Sequence, residues 1–294
     1  MATFPDVSKR SVWMDRRVIA YAHQGGAWEA PSSTLHAIRA AVAAGATGIE
    51  LDVHATADGV LVVSHDPTVD RTTDGTGEFA SLTISEVKGL DNAFWWAPGA
   101  DVSPGLEDGA YPFRGRAPGD RAFAVATLEE VLEEFADVVL NLDIKRTAPA
   151  VVPYEETLAR LLRQFGRRDD VIVASFLDAA TEAFSSFAPE IPTSAGTAAV
   201  AAFYQAVQAG EEPAPIRHVA LQVPASFGDV TLVDERFVAE AHRAGLAVHV
   251  WTIEEEVEMA RLCDLGVDGI ITDRPSALAA VLEDRSAAWR PDPR

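Results

Sequence analysis

Short apolar runs alternate along the chain with longer stretches of helical periodicity, and this alternation most strongly constrains the fold. The runs are rich in Val and Ile, which is typical of parallel strands buried on both faces. Eight runs are found when residues 60–65 are set aside as the return arm of a ribbon. They lie at 18–23, 48–54, 138–145, 171–176, 192–196, 218–223, 247–252 and 268–273.

The stretches between the runs predict helices, several of them with recognisable ends. Thr127 with Glu130, and Thr252 with Glu255, have the spacing of N-terminal capping boxes. Glycines that favour helix ends stand at 45, 166, 245 and 266. The predicted helices are 34–45, 127–136, 154–166, 178–187, 234–245, 254–265 and 275–284.

Eight strand–helix steps predict a closed (β/α)₈ barrel, an α/β fold in which residues 1–294 form one domain. An open doubly wound sheet is the alternative. That fold usually carries a glycine-rich phosphate loop after its first strand, and the HQGG segment at 23–26 is too short for one. The barrel is therefore the favoured fold.

Residues 67–124 interrupt the alternation, because they are rich in Gly and Pro and show little periodicity. A segment of this length is usually functional or a small subdomain. It follows the ribbon directly, so we expect it to be a cap insertion at the barrel mouth. Its aromatic residues at 94–96 and 111–113 are expected to pack on one another rather than to stack on substrate.

Composition excludes several functions. The chain has 24 Lys and Arg against 45 Asp and Glu, a net charge of −21, which repels nucleic acid and anionic bilayers. No stretch is apolar enough for a signal core or stable membrane insertion, so a cytoplasmic protein is expected. Cys263 is the single cysteine, predicted to pack on its helix, and the tail 285–294 is expected to fray. The oligomeric state is left open.

Two carboxylates and two histidines are brought together by the local sequence around residue 50. Glu50 and Asp52 are two apart on a strand, so they share one face. A turn at Asp58-Gly59 folds the chain back and is expected to set His65 opposite Asp52. His23 ends the first strand, and such a group is typical of a metal-assisted acid–base site.

Further polar residues end other strands of the predicted barrel, where functional groups gather. Asp143 and Lys145 share a face, so Glu50, Asp52 and Asp143 form an all-oxygen set that suits Mg²⁺ or Ca²⁺ better than zinc. Lys145 could instead only neutralise a carboxylate. At the other strand ends, Trp251 is expected to form an apolar wall and Asp273 to cap a helix. Of the other histidines, His54 is expected at the rim, and His249 either in the core or lining the site. The remaining histidines, His36, His218 and His242, are expected to be structural or exposed.

From about residue 18 to 282 the chain resembles the glycerophosphodiester phosphodiesterase family, within the wider phospholipase C-like barrel group. That family begins with HRGG and PENT, and here AHQGG and APSST stand in those places. Each fragment is weak, but their combination is specific. The other matching segments are 50–66, 70–77, 126–132, 143–145, 175–176, 251–252 and 266–275.

The resemblance implies roles for the matching residues. His23 and His65 would be the catalytic acid–base pair, and Glu50, Asp52 and Asp143 would bind a divalent cation, Mg²⁺ or Ca²⁺. Asp143 stands where the family usually has Glu, although sphingomyelinase D-like relatives use Asp. The substrate-binding positions implied are Gln24, Lys145 and Trp251.

The implied reaction is hydrolysis of a small glycerophosphodiester to an alcohol and sn-glycerol 3-phosphate. Gln24 replaces a family Arg, and Ser32-Ser33 replace Glu-Asn, which removes charged partners from the mouth. Two alternatives therefore stay open. One is a lipid phosphodiesterase or phospholipase D-like lyase that forms a cyclic phosphate, and the other is a non-catalytic phosphate-ester binding protein.

Overall fold

The computed structural model describes residues 12–100 and 102–290. Apolar runs form the strands, as their Val and Ile content predicts. The strands are β1 (Ile19–His23), β2 (Gly48–Ala55), β3 (Leu61–Val63), β4 (Val139–Ile144), β5 (Val171–Ala174), β6 (Ala220–Pro224), β7 (Ser226–Phe227), β8 (Val230–Thr231), β9 (Ala247–Trp251) and β10 (Gly269–Thr272).

Helices connect the strands and cover the outside of the sheet. They are α1 (Val12–Asp15), α2 (Leu35–Ala44), α3 (Ile84–Val87), α4 (Leu128–Glu134), α5 (Glu155–Gln164), α6 (Asp178–Phe187), α7 (Thr197–Ala209), α8 (Glu235–Arg243), α9 (Glu256–Leu265) and α10 (Pro275–Asp284). Apolar side chains on their inner faces pack on the strands and form most of the core.

The sheet curls into the predicted (β/α)₈ barrel. Its order is β5-β4-β2-β1-β10-β9-β6, and these neighbours pair in parallel. The remaining gap is closed by two isolated parallel bridges, Val173 with Thr193 and Ser194 with Ala220. The predicted strand at 192–196 is therefore reduced to a seam of two bridged residues.

The lower interior of the barrel is filled with apolar side chains. Ile19, Tyr21, Val139 and Ile172 belong to this cluster, and Trp13 of α1 packs beneath it. Gly48 makes room for the Tyr21 ring, since a Cβ there would lie 2.5 Å from Tyr21 Cδ1. A filled lower half leaves the mouth as the open end of the described barrel interior.

The ribbon of β2 and β3 is shifted by one residue from the predicted register. Val53 pairs with Val63, so Ser64 lies opposite Asp52, and its N–H donates to the Asp52 carbonyl at 3.0 Å. The connection has three residues rather than two, because Thr56 N–H bonds to Val60 O around a Gly59 with φ of 80°. The expected pairing of His65 with Asp52 was wrong, although His65 still follows the ribbon closely.

Helix ends were predicted with mixed success. Thr127 and Glu130 form the predicted capping box, and Gly45 and Gly266 end their helices in the left-handed conformation. The box at Thr252 and Glu255 was wrong, because α9 begins one residue after Glu255 and has no side-chain cap. Helix α7 was not predicted.

The chain end is more ordered than the predicted frayed tail. Ala287 O accepts from Val18 N–H at 3.0 Å, and Trp289 N–H donates to Val18 O at 3.2 Å. Trp289 also packs against the lower interior cluster. The expectation was therefore wrong for residues 285–290, while 291–294 lie outside the described residues.

The cap (residues 67–124) is attached to the loop between β1 and α2. Trp96 Nε1 donates to Ala27 O at 2.8 Å, Gly99 N–H donates to Trp28 O at 3.1 Å, and Asn92 Nδ2 donates to Ser32 O at 3.1 Å. These bonds hold the cap beside the end of β1.

The aromatic side chains of the cap pack on one another, as predicted. The Arg114 guanidinium lies 3.6 Å from the Tyr111 ring centroid and within 5 Å of the Phe94 and Trp95 centroids. A second group stacks Phe113 on Trp96 and Phe123.

Candidate active site

The register of three neighbouring strands brings the predicted residues to one end of the barrel. His23 of β1 pairs with Glu50 of β2, and Asp52 pairs with Asp143 of β4. Because β1, β2 and β4 are parallel, these side chains lie at adjacent carboxyl ends, where barrels place their functional groups.

His23 is held by a carboxylate that directly follows the last strand. Its Nδ1 atom lies 2.6 Å from Asp273 Oδ1, and its Nε2 lies 3.7 Å from Glu50 Oε2. Burial lowers the pKa of the imidazole. The bond to Asp273 and the charges of Glu50, Asp273 and Asp52 outweigh burial and raise the pKa to about 9. Asp273 was expected to cap a helix, but Arg274 occupies the N-cap position of α10 and makes no side-chain cap.

His65 is held by residues close to it in sequence. Its Nδ1 lies 2.7 Å from Asp66 Oδ1, and Asp66 Oδ2 accepts from Arg71 Nε at 2.5 Å. The hydrogen bond from His65, with the bond and charge of Arg71, lowers the pKa of Asp66 to about 2 despite partial burial. The His23 and His65 ring centroids are 6.0 Å apart with perpendicular planes, so the two imidazoles share one site.

Three carboxylates and one ammonium line the site beside the histidines. Lys145 Nζ lies 3.0 Å from Asp52 Oδ1 and 3.7 Å from Asp143 Oδ2. Burial and then the charge of Asp52 raise the pKa of Glu50 well above its ordinary value, and they raise that of Asp143 to about 7. Burial and mutual repulsion thus favour the protonated forms of Glu50 and Asp143 in this cluster.

The donor chemistry of this cluster suits a hard cation. Glu50 Oε2, Asp52 Oδ2 and Asp143 Oδ1 are buried and accept no hydrogen bond, which is costly for carboxylate oxygens unless a cation or proton meets them. In residues 12–100 and 102–290, no three His, Cys, Asp or Glu side chains are already arranged to hold a metal. The carboxylates thus fit by chemistry, while their present arrangement is an ion-pair cluster with Lys145.

Gln24 lies against the His23 ring instead of in open solvent. Only 3% of Gln24 is exposed, and its Nε2 is 3.1 Å from His23 Nε2. Its backbone has a φ of 52°, fixed by bonds from Gln24 N–H to Glu50 O and from Ser33 N–H to Gln24 O. Ser32 and Ser33 are also buried. The substrate-binding role of Gln24 stays a prediction.

Trp251 ends β9 at the mouth and forms an edge-to-face contact with Phe176, with centroids 5.5 Å apart. The predicted role of Trp251 as an apolar wall for the substrate stays a prediction. His249, two residues earlier, lies deeper: it is fully buried, with its Nδ1 3.3 Å from Gln222 Nε2 and its ring 5.2 Å from that of Tyr21. It is a core histidine, and burial lowers its pKa to about 4.

The remaining histidines have structural surroundings. His54 was expected at the rim, but it is buried, because Phe79 of the cap stacks on it. His242 binds Asp268, His218 binds Thr193, and His36 stacks on Phe123, as a structural role predicts. Cys263 lies in α9 as expected, and burial raises its thiol pKa to about 11, which disfavours a nucleophile.

Comparison with known proteins identifies the family. The glycerophosphoryl diester phosphodiesterase family model matches residues 23–277. A glycerophosphodiester phosphodiesterase of Caldanaerobacter subterraneus subsp. tengcongensis is 30% identical over 264 residues, covering 89% of this chain and 96% of the relative. The chain therefore belongs to the glycerophosphoryl diester phosphodiesterase family, which confirms the predicted enzyme class.

Solved structures share the fold. The glycerophosphoryl diester phosphodiesterase domain of a Mycobacterium tuberculosis protein has a TM-score of 0.74 at 24% identity, covering 91% of this chain and 99% of that one. An Oleispira antarctica phosphodiesterase, solved in complex with the product sn-glycerol-3-phosphate, has a TM-score of 0.66 at 23% identity, covering 90% and 96%. Among the described helices, none has the length and apolar character needed to cross a membrane.

Sequence reasoning missed the groups that hold the histidines. Asp66 and Arg71 lie within the matching segments 50–66 and 70–77 and were assigned no role, although a carboxylate adjacent to a strand-end histidine is itself a signal. Asp273 also ends a barrel strand, and a closed barrel sets that strand next to β1. The pairing with His23 could have been inferred from closure.

Proposed function

We propose that this protein hydrolyses glycerophosphodiesters to an alcohol and sn-glycerol 3-phosphate, with His23 and His65 as its acid–base pair. The observation that carries the proposal is the pair of imidazoles 6.0 Å apart, each contacting a carboxylate through Nδ1. Such contacts orient each ring and make Nε2 the nitrogen for proton transfer, which in His23 also faces the Gln24 amide at 3.1 Å. The name of the Caldanaerobacter relative and the product bound to the Oleispira protein support the substrate class.

The reaction has two steps, and each step needs two proton transfers. One imidazole accepts the proton of the glycerol hydroxyl beside the phosphate, and that oxygen attacks phosphorus. The phosphorus–oxygen bond to the alcohol breaks, and the other imidazole donates its proton to the leaving oxygen. Water then opens the five-membered cyclic phosphate with the roles of the imidazoles reversed, which gives glycerol 3-phosphate.

Glu50, Asp52 and Asp143 would hold the divalent cation, Mg²⁺ or Ca²⁺. When bound, it would supply positive charge to the phosphate and acidify the attacking hydroxyl. Lys145 offers a second positive charge beside Asp52 for a non-bridging phosphate oxygen. Gln24 would contact the phosphate beside His23, and Trp251 would form an apolar wall for the substrate.

Product release tests the reaction. Glycerophosphocholine is incubated with the protein, with chelator, and with chelator followed by excess Mg²⁺ or Ca²⁺, and the phosphorus products are identified by ³¹P NMR. We expect glycerol 3-phosphate, lost with chelator and restored by the cation. Accumulation of cyclic phosphate would indicate the lyase, and absence of turnover in every arm would contradict the proposal.

Thermal shift tests the cation site independently of turnover. We expect Mg²⁺ or Ca²⁺ to raise the melting temperature of the parent, and Glu50→Gln and Asp143→Asn each to remove most of that rise, because a fixed site cannot replace a lost ligand. Glu29→Gln is the matched control, since Glu29 lies at the mouth but binds Ser276 of α10. Equal shifts in all four proteins would place the cation elsewhere.

A further inference from the structure

A ring of exposed apolar side chains surrounds the barrel mouth. We call it the mouth ring, and it lies on the loops that follow β1, β4, β5 and β6. Its exposed fractions run from 37% at Trp28 to 84% at Val152. The side chains of the mouth ring are Trp28, Val152, Phe176, Leu177, Phe227 and Val230.

The other exposed apolar side chains of the described residues do not form a second group of this kind. Leu106 lies in the cap and Val257 in the first turn of α9, both after barrel strands. Val12, Val42 and Phe187 lie on α1, late in α2 and at the end of α6, away from the mouth. Single exposed apolar residues are ordinary, but a concentration on one face marks an interaction site.

The β7–β8 hairpin is the most exposed part of the mouth ring. Phe227 pairs with Val230 across a turn of two residues, and the two side chains are 78% and 49% exposed. Neither belongs to a core cluster. The hairpin thus presents apolar surface whose burial would be favourable only against something outside the barrel.

The mouth ring is continuous with the candidate active site. Phe176 of the ring contacts Trp251, which ends β9 at the mouth. Trp251 pairs with Pro224, and Pro224 leads directly into the β7–β8 hairpin. An apolar path therefore runs from the site to the exposed hairpin.

Charge restricts what this surface can meet. Asp229 lies between the two hairpin side chains, Glu29 follows Trp28, and Asp178 follows Leu177, within a chain of net charge −21. An anionic bilayer would repel such a rim, whereas a zwitterionic phospholipid surface offers apolar chains and choline cations without net negative charge. Aromatic side chains favour such interfaces.

We infer that the mouth ring docks on a zwitterionic phospholipid surface and that lysophospholipids within it are substrates. The second part rests on the proposed function. A lysophospholipid acylated at the first glycerol carbon keeps the hydroxyl that attacks phosphorus, while a diacyl phospholipid has none. Hydrolysis breaks the phosphorus–oxygen bond to choline: the water oxygen joins phosphorus, its protons are shared between products, and lysophosphatidate and choline leave.

Vesicle sedimentation tests the docking. Parent, Phe227→Ser/Val230→Ser and Phe187→Ser are each mixed with phosphatidylcholine vesicles, Phe187 being the matched control because it is 41% exposed away from the mouth. We expect the hairpin variant to partition at least about tenfold more weakly than the parent, given the apolar area removed. The control should match the parent.

Kinetics on two substrates tests the consequence. The hairpin variant should keep the parental kcat/KM on soluble glycerophosphocholine, and should lose about tenfold on lysophosphatidylcholine above its micelle concentration. Diacyl phosphatidylcholine should stay intact with every protein. Equal loss on both substrates would overturn the inference by placing the hairpin in general catalysis.

The outcomes separate the two proposals. If the parent protein hydrolyses glycerophosphocholine but stays in the supernatant when the vesicles sediment, the docking alone is overturned. A parent that sediments with vesicles but hydrolyses nothing overturns the proposed function alone. Light scattering tests a second copy as the occupant. If the parent is a dimer and the hairpin variant a monomer, with vesicle binding unchanged, the mouth ring contacts a second copy and the lipid inference is wrong.

Discussion

The two histidines of the site are held in opposite ways. His23 lies on an inner strand and binds Asp273, which is 250 residues away in sequence and directly follows the neighbouring strand β10. His65 follows a short ribbon and binds Asp66 beside it, which is bound in turn by Arg71. The side chain of His65 is 39% exposed, against 18% for His23. One histidine therefore depends on the closed barrel, and the other mainly on a local segment.

The two histidines differ in solvent access as well as in the sequence distance to their partners. A partner lost from the more buried His23 is poorly replaced by solvent, whereas solvent reaches His65 and Asp66 more easily. We therefore expect unequal consequences when the partners are changed, and equal ones when the imidazoles themselves are removed.

The largest effect is expected from the imidazoles. His23→Ala and His65→Ala should each lower turnover of glycerophosphocholine by about 10²–10⁴-fold, the usual contribution of general acid–base catalysis. His242→Ala is the control, because His242 is a histidine of the outer helix α8. Near-parental turnover in either site variant, with circular dichroism unchanged, would remove that residue from the mechanism.

The next largest effect is expected from the carboxylates that bind the two histidines, and it should differ between them. Asp273→Asn should lower kcat about 10–100-fold, and Asp66→Asn less, because an orienting partner matters most where water cannot substitute. NMR titration of Asp273→Asn should show a pKa of His23 below its value of about 9, since that carboxylate raises it. A larger loss in Asp66→Asn would reverse the comparison.

A third inner-face histidine, His249, contacts the Gln222 amide rather than a carboxylate, and its protonation should affect stability. The folded pKa of His249 is about 4, below the unfolded value of 6.5, so the unfolded state binds the extra proton. Stability should fall as pH drops from 6.5 toward 4, by about 2 kcal/mol at pH 5. Urea unfolding of parent and His249→Asn should show a smaller pH dependence in the variant. Identical slopes would contradict the assignment.

The smallest effect is expected at Gln24, whose amide lies against His23. Gln24→Arg should raise kcat/KM on glycerophosphocholine up to about tenfold, because a charged hydrogen bond to phosphate can exceed a neutral one by about 1.5 kcal/mol. Gln24→Arg with Ser32→Glu supplies the charged partner that Ser32 removes. If neither variant improves on the parent, Gln24 is an adaptation to another substrate, and the lipid inference gains support.

Periodicity predicted the barrel and the strands that carry the site, since buried parallel strands leave a strong apolar signal. It also located the strand at 192–196, although only Thr193 and Ser194 make bridges there, one each. It missed α7, an Ala-rich helix whose N-cap is Gly196, without a capping side chain.

Of the site, the two histidines and the carboxylate pair followed from local spacing and motif resemblance. The one-residue slip of the ribbon did not, because turn length is set by the backbone at Gly59 rather than by the strands. The contact of His23 with Asp273 needed three-dimensional closure, since no local pattern links residues at the two ends of a chain.

The contact between β1 and β10 also bears on synthesis and on fragments of this protein. A nascent chain still lacking residue 273 has already made His23, His65 and all three carboxylates, yet His23 has no orienting partner. A C-terminal truncation before β10 leaves the same incomplete pair, however well the first half folds. Neither of two co-expressed fragments, one with β1 and one with β10, carries a complete His23–Asp273 pair. Turnover by the mixture would therefore measure how well the two fragments associate.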